Sequence, residues 1–352
     1  MKEKEVKKNK GKKKKSSNVF SNYREVKSKR AIEWEKTRPK AYSEYRKRWV
    51  EYPKELKIPG FPMHMDLEAS SFCNLSCPFC ARTIRVKKGT WRENKHFDLG
   101  LFKKIIDEGA REGLCAINLN NYGEPLLNPH IVEMVAYAKS KGILDVFFHT
   151  NGVLLSRKMS KRLIAAGLDR IVISFDTPYK EKYEQLRVGA RYEQVLDNIK
   201  GLFDERKKLK SITPLIRINM IQFPDLTEKE MGDMKKNFLP ICDSIGLLAL
   251  DDYLKTTDVE FKEGYKSKFI CAQIISRLTI FENGDVMPCC MDIDGELKLG
   301  NAKTSLLKDL WNSKKLKGLR DSHFKGEFYK VLACRRCEWA IKEDLRLRKE
   351  QN

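Results

Sequence analysis

Cys73, Cys77 and Cys80 stand in the run Ser71-Phe72-Cys73-Asn74-Leu75-Ser76-Cys77-Pro78-Phe79-Cys80. Three thiolates this close in sequence can wrap one corner of a cubane iron–sulfur cluster, a centre normally held by four Cys thiolates. The missing fourth thiolate leaves one iron open to a small molecule, as a catalytic zinc site keeps a position open where a structural site is closed. A disulfide knot is disfavoured: the chain starts on lysines rather than an export-type apolar stretch, and no segment approaches membrane-spanning length. Zinc would need a fourth ligand close by, and the nearest downstream histidine is His96.

A second constellation is C-terminal, with Cys271, Cys289, Cys334 and Cys337 spaced x17, x44 and x2. Between the first two lies Arg277 to Pro288, which reads as a hairpin turning at Asn283-Gly284 and would carry Cys289 back towards Cys271. Four thiolates make a closed site. A zinc ribbon is the competing reading, because C-x2-C pairs are common there; the company of the first loop favours iron–sulfur. Cys290 adjoins Cys289, and Cys289 is the preferred ligand. Cys115 and Cys242 lie among apolar residues and read as buried, inert thiols.

Strand-like runs alternate with helical ones from Phe61 to about Tyr253. The strands are Met63 to Ser70, Cys115 to Asn121, Leu144 to His149, Arg170 to Phe175, Leu215 to Gln222 and Ile245 to Leu250, and the intervening helices include Leu101 to Glu112 and Pro129 to Ser140. Such alternation implies parallel strands joined by right-handed crossovers, here an open (β/α)6 barrel of the α/β class. Residues 254–352 read as a small α+β domain, with a helix from about Leu306 to Leu319. Residues 21–60 mix charges with Trp34, Tyr42, Tyr45 and Trp49 and read as a helical extension packed on the core. Residues 1–20 read as a disordered, Lys-rich tail. Nine Lys and two Glu among residues 1–16 supply +7 of the formal +22, so much of the basic character reads as a solvated tail rather than a nucleic-acid surface.

The loop around Cys73 resembles the signature of the radical S-adenosylmethionine (SAM) enzymes, with Phe79 as the aromatic before the last Cys. That resemblance implies a [4Fe–4S] cluster whose open iron is chelated by SAM, and reductive SAM cleavage to a radical that removes hydrogen from substrate. Tyr122-Gly123-Glu124-Pro125 resembles the family's Gly-Gly-Glu-Pro motif, which receives the SAM amino group, with Tyr122 in place of the first Gly. Thr150 and Asn151, and Ser174 and Asp176, fall at strand ends where the resemblance implies further SAM contacts; Arg187 is placed like arginines that pair with the SAM carboxylate in relatives, and Phe79 would meet the adenine. The C-terminal cysteines resemble the SPASM/twitch extensions, in the short form with one auxiliary [4Fe–4S] cluster.

Period-two alternation puts Arg217 and Asn219 on the cavity face of the fifth strand, and Asp251 beyond the sixth could act as a base. Such a closed second cluster beside substrate implies oxidation. The likeness to twitch-bearing enzymes, where such a cluster supports two-electron dehydrogenation of an alcohol, implies dehydrogenation of a sugar, aminocyclitol or polyol-like molecule, expected in the cytoplasm with a flavodoxin or ferredoxin as reductant. A small molecule is favoured over peptide. Peptide modification and redox-neutral epimerisation, dehydration or deoxygenation are the alternatives.

Overall fold

The computed structural model describes residues 24–250 and 259–349. Ten strands form one sheet: β1 (Arg24–Lys27), β2 (His64–Leu67), β3 (Ala116–Asn118), β4 (Asp145–Thr150), β5 (Arg170–Ser174), β6 (Leu215–Gln222), β7 (Ser244–Ala249), β8 (Arg277–Ile280), β9 (Asp285–Met287) and β10 (Gly300–Asn301). Their spatial order is β1-β7-β6-β5-β4-β3-β2-β8-β9-β10. Strands β2 to β7 are parallel and follow chain order, so each expected strand occupies its place in an open barrel wall.

The helices between them cover the outer face. Helix Leu99–Glu112 begins where the Asp98 carboxylate accepts a hydrogen bond from Leu101 N at 2.7 Å and stops at Gly113, whose φ of 85° ends the turn. Between these signals Leu101, Phe102, Ile105 and Ile106 recur at helical spacing and are buried. Fully burying a side chain such as Phe102 stabilises by about 1.5–3 kcal/mol. The inward face is polar instead, with Asp66, Asn118 and His149 projecting into the barrel.

Both ends of the chain complete this wall. Helices Lys29–Thr37 and Lys40–Lys54 bury Trp34, Tyr42, Tyr45 and Trp49 against Met63, Ala116 and Leu215 at the strand starts. Strand β1, four residues with two half-buried side chains, pairs antiparallel with β7. At the other edge β8 pairs in parallel with β2 from His64↔Arg277 to Leu67↔Ile280, so the C-terminal segment continues the same sheet. The β8–β9 hairpin turns at Asn283-Gly284, with Gly284 at φ 92° and the Asn283 side-chain carbonyl accepting from Asp285 N at 2.9 Å.

The helix expected from Leu306 to Leu319 is two, Leu307–Trp311 and Lys314–Phe324, because the Ser313 hydroxyl caps a fresh start by accepting from Leu316 N. Trp311 is fully buried and donates to Pro59 O at 2.8 Å, tying this region to the residues before β2. Strand β3 is shorter than expected: the chain leaves the sheet after Asn118, whose side chain turns back to Asp66 and to the Asn120 carbonyl. Among the described residues no helix is long and apolar enough to cross a membrane.

Candidate active site

A cavity of about 460 Å³ opens at the C-terminal ends of the parallel strands, where α/β barrels place their chemistry. Cys73, Cys77 and Cys80 line one end, on the loop that follows β2. The loop is held from several sides. Arg82 donates to Ser71 O at 2.7 Å, Ser76 N bonds Val188 O, and Asn151 Nδ2 donates to Asn74 Oδ1 at 2.8 Å. Burial pushes the Cys73 thiol up to about 11, so iron binding, which deprotonates its thiol ligands, must accompany loading.

Gly123 lies against the backbone of this loop. A Cβ there would stand 2.0 Å from Ser70 O and 2.7 Å from Phe72 O, so no other residue fits, and Glu124 N donates to Phe72 O at 2.7 Å. Glu124 is buried, and its carboxylate accepts from Thr150 Oγ1 and Asn151 N, both at 2.8 Å, and from Leu126 N at 3.0 Å. Burial raises it to about 6 against those hydrogen bonds, which leaves it mainly ionised at neutral pH. A carboxylate with unfilled acceptor capacity suits an ammonium group.

Arg187 stands opposite, 5.2 Å over the Phe79 ring, with Nη1 4.0 Å from Cys77 Sγ. Its Nε donates to Asp176 Oδ2 at 2.6 Å. Phe79, Gly123, Glu124, Thr150, Asn151, Ser174 and Arg187 all line the cavity together with the three cysteines. Pro125 and Asp176 do not. Pro125 starts a short 3-10 turn behind Glu124, and Asp176 is buried between Arg187 and Ile221 N, to which its second oxygen accepts at 3.0 Å.

The expected placement of Arg217 and Asn219 also differs. Neither lines the cavity. Arg217 pairs with Glu25 of β1 at 2.8 Å, a carboxylate supplied by an edge strand too short and charged to be read as one. Asn219 is buried, and its backbone carbonyl accepts from Phe175 N. Asp251 lies outside the described residues.

The opposite wall joins polar residues of the first two barrel strands to one from the C-terminal segment. Arg277, the first residue of β8, donates to Asp66 Oδ2 at 3.0 Å; Asn118 Nδ2 donates to Asp66 Oδ1 at 2.9 Å, and His64 Nε2 lies 3.2 Å from the same oxygen. Burial by itself would raise Asp66, but the Arg277 guanidinium and the His64 and Asn118 contacts outweigh it and hold the carboxyl well below its usual range. Above this network Arg92 bridges Glu68, at the end of β2, to Glu282, at the tip of β8, and Tyr122 N donates to Glu68 at 3.2 Å.

The four C-terminal cysteines converge as their spacing suggested. Cys271, Cys289, Cys334 and Cys337 line one pocket, closed by Phe269, Ile274 and Leu297. Cys290 lines the main cavity instead, its thiol against that of Cys289 and 4.0 Å from Arg277 Nη1, its carbonyl accepting from Tyr122 Oη at 2.5 Å. The residue that replaces the motif's first Gly thus fastens the loop after β3 to the cysteine pair. Trp339 lines both cavities. Burial pushes Cys271 up to about 12, and here too metal binding must supply the deprotonation.

A family model described as the radical SAM superfamily matches residues 67–236, and one described as an iron–sulfur cluster-binding domain, SPASM, matches residues 271–338. The chain thus carries a radical SAM domain followed by a SPASM domain. The donor sets fit the groups the family carries: a SAM-binding [4Fe–4S] cluster on the three-cysteine loop and an auxiliary iron–sulfur cluster in the four-thiol pocket. A GTP 3′,8-cyclase of Chlorobaculum tepidum is 36% identical over 133 residues, 38% of this chain and 38% of that one. A probable GTP 3′,8-cyclase of Methanococcus maripaludis is 32% identical over 149 residues, 42% of this chain and 46% of that one. The chain therefore spans less than half the length of these two relatives. In fold it resembles BtrN in complex with AdoMet and 2-DOIA (TM-score 0.54, 17% identity, 79% of this chain and 93% of that one). It also resembles anSMEcpe with bound AdoMet (0.57, 16%, 82% and 99%) and Streptococcus suis SuiB bound to precursor peptide SuiA (0.56, 15%, 81% and 74%).

Proposed function

We propose that this radical SAM enzyme is an oxidoreductase that converts a secondary alcohol of a sugar, aminocyclitol or polyol-like molecule to a ketone. The observation that carries the reading is the join between the two cavities. The pocket of Cys271, Cys289, Cys334 and Cys337 is complete in thiolates, and it adjoins the main cavity through the Cys289-Cys290 pair and Trp339. A cluster with every iron held by protein is suited to taking an electron rather than binding substrate.

When bound, the SAM and its cluster supply hydrogen-atom abstraction from an unactivated C–H bond. The chain positions them. Glu124 offers its carboxylate to an ammonium, Arg187 offers a guanidinium to a carboxylate, and Ser174 offers a hydroxyl, while Phe79, Leu75, Leu248 and Trp339 make the wall apolar and exclude water.

The charge balance of the cavity disfavours a polyanionic substrate. The two arginines on its wall are each paired with a carboxylate, Arg187 with Asp176 and Arg277 with Asp66, so little net positive charge is left to hold a triphosphate. Its volume lies in the small-molecule range of about 300–1,000 Å³, part of which SAM itself fills. A low-potential donor such as flavodoxin or ferredoxin in a reducing cytoplasm is part of the same reading. The test is anaerobic incubation of the reduced protein with SAM and a panel of cyclitols, hexosamines and peptides. Ketone formed from a polyol supports the reading, and turnover confined to peptide or nucleotide contradicts it.

A further inference from the structure

One ionisable side chain on the cavity wall has no role in the groups above. His149 lies on β4 two residues before Asn151, lines the cavity beside Asp66, Asn118 and Arg277, and has no hydrogen-bond partner among the described residues. The carboxylates beside it are held by other groups. Asp66 is held by Arg277, His64 and Asn118; Glu124 by Thr150 and Asn151; and the thiol of Cys290 is a weak acceptor.

We propose that His149 accepts the hydroxyl proton of the substrate. The proposal rests on the dehydrogenation reading. A secondary alcohol becomes a ketone by losing two hydrogens: the carbon hydrogen leaves as an atom to the SAM-derived radical, and the O–H bond then breaks with its proton going to a ring nitrogen of His149. The electron left on carbon goes to a one-electron acceptor of the iron–sulfur class, and the C=O bond forms. Loss of the carbon hydrogen acidifies the remaining O–H, and passage of the electron to the acceptor acidifies it strongly, so proton transfer coupled to that oxidation proceeds even to a weak base.

The surroundings keep this imidazole able to accept. The charged groups that act on it are Arg170 from β5 and Asp66 from β2; Arg170 is itself bound to Asp145 at 2.8 and 2.7 Å and stacked over Phe147. Burial first, then the Arg170 charge, lowers His149 to about 4 against the opposing pull of Asp66, so the ring is neutral at physiological pH. Its register partner on β5 is Val172, which offers no proton.

The experiment uses the full chain carrying both clusters, with scyllo-inosamine, myo-inositol and glucosamine deuterated on carbon as probes, comparing wild type with His149→Gln and His149→Asn. Wild type is expected to move deuterium into 5′-deoxyadenosine and to form ketone. The variants are expected to keep the deuterium transfer while ketone per 5′-deoxyadenosine falls about 100-fold or more. In histidine-labelled protein without probes, the ring signal absent from His149→Gln is expected to titrate well below 6. Ketone formed by both variants at the wild-type ratio, or a His149 signal titrating above 6.5, overturns the assignment of His149 alone. Deuterium transfer without ketone in wild type, or no transfer from any probe, overturns the dehydrogenation reading and this inference with it.

Discussion

Gly123→Ala is expected to damage both stability and the first cluster. The new Cβ would sit 2.0 Å from Ser70 O and 2.7 Å from Phe72 O, where ordinary contacts begin at 3.4 Å. Both atoms are backbone, so no rotamer change relieves the clash, and the segment leading into Cys73 must move by more than an ångström. Overpacking of this kind costs about 1–3 kcal/mol, and loss of the Glu124 N to Phe72 O bond adds about 1 kcal/mol, for a total of about 3 kcal/mol. At about 2–4 °C per kcal/mol the apparent melting midpoint should fall by roughly 6–12 °C. Gly232→Ala is the matched control. Gly232 lies in helix Glu228–Phe238 with nothing within 4 Å of an added Cβ, so alanine there should stabilise by about 0.8–1 kcal/mol. Both variants are compared anaerobically by thermal melting and by iron content. Gly123→Ala should lose iron from the first site while keeping the auxiliary cluster. An unchanged midpoint with full iron would refute the claim that this loop packs directly on the cluster-binding segment.

Three further outcomes follow from the same geometry. Cys289→Ser should lower iron by about one cluster, whereas Cys290→Ser should keep full iron, because Cys289 lines the pocket with Cys271, Cys334 and Cys337 and Cys290 does not; iron and sulfide assays on anaerobically purified variants check this. Arg187→Lys should weaken SAM binding about tenfold, measured by anaerobic calorimetry, because one ammonium cannot both hold Asp176 and lie over Phe79. Burial, opposed by Arg92 and reinforced by Glu282, pushes Glu68 up to about 8 from 4.5. The folded state therefore binds more protons between those values, so this carboxyl's contribution is complete below about 4.5 and declines as pH rises through 8. Glu68→Gln should flatten the fall in melting midpoint between pH 5 and pH 8, and an unchanged slope would contradict the buried pairing with Glu282.

What the sequence disclosed was local. The spacing of Cys73, Cys77 and Cys80 lies within one loop, the six barrel strands are apolar runs of ordinary length, and Asn283-Gly284 is a turn by its own backbone preferences. What stayed hidden was pairing across the chain. The parallel match of β8 to β2, and with it Arg277 on Asp66, spans 211 residues and leaves no periodic trace. Arg217 has the alternation of a cavity residue, yet its partner Glu25 sits on an edge strand of four mostly polar residues. Asp176 has the right position to meet a ribose, but the nearest cation, Arg187, takes it first. Cys289 and Cys290 are adjacent, so spacing alone does not separate them; in the fold Cys289 lines the four-thiol pocket and Cys290 the main cavity.

The measurement closest to the central claim is the mass of the product formed from a secondary-alcohol polyol by the reduced, SAM-loaded protein under strict anaerobic conditions. The account predicts a ketone lighter than the substrate by two hydrogens, formed with one 5′-deoxyadenosine per turnover. An epimer of unchanged mass, formed with the same SAM cleavage, would contradict oxidation through the second cluster.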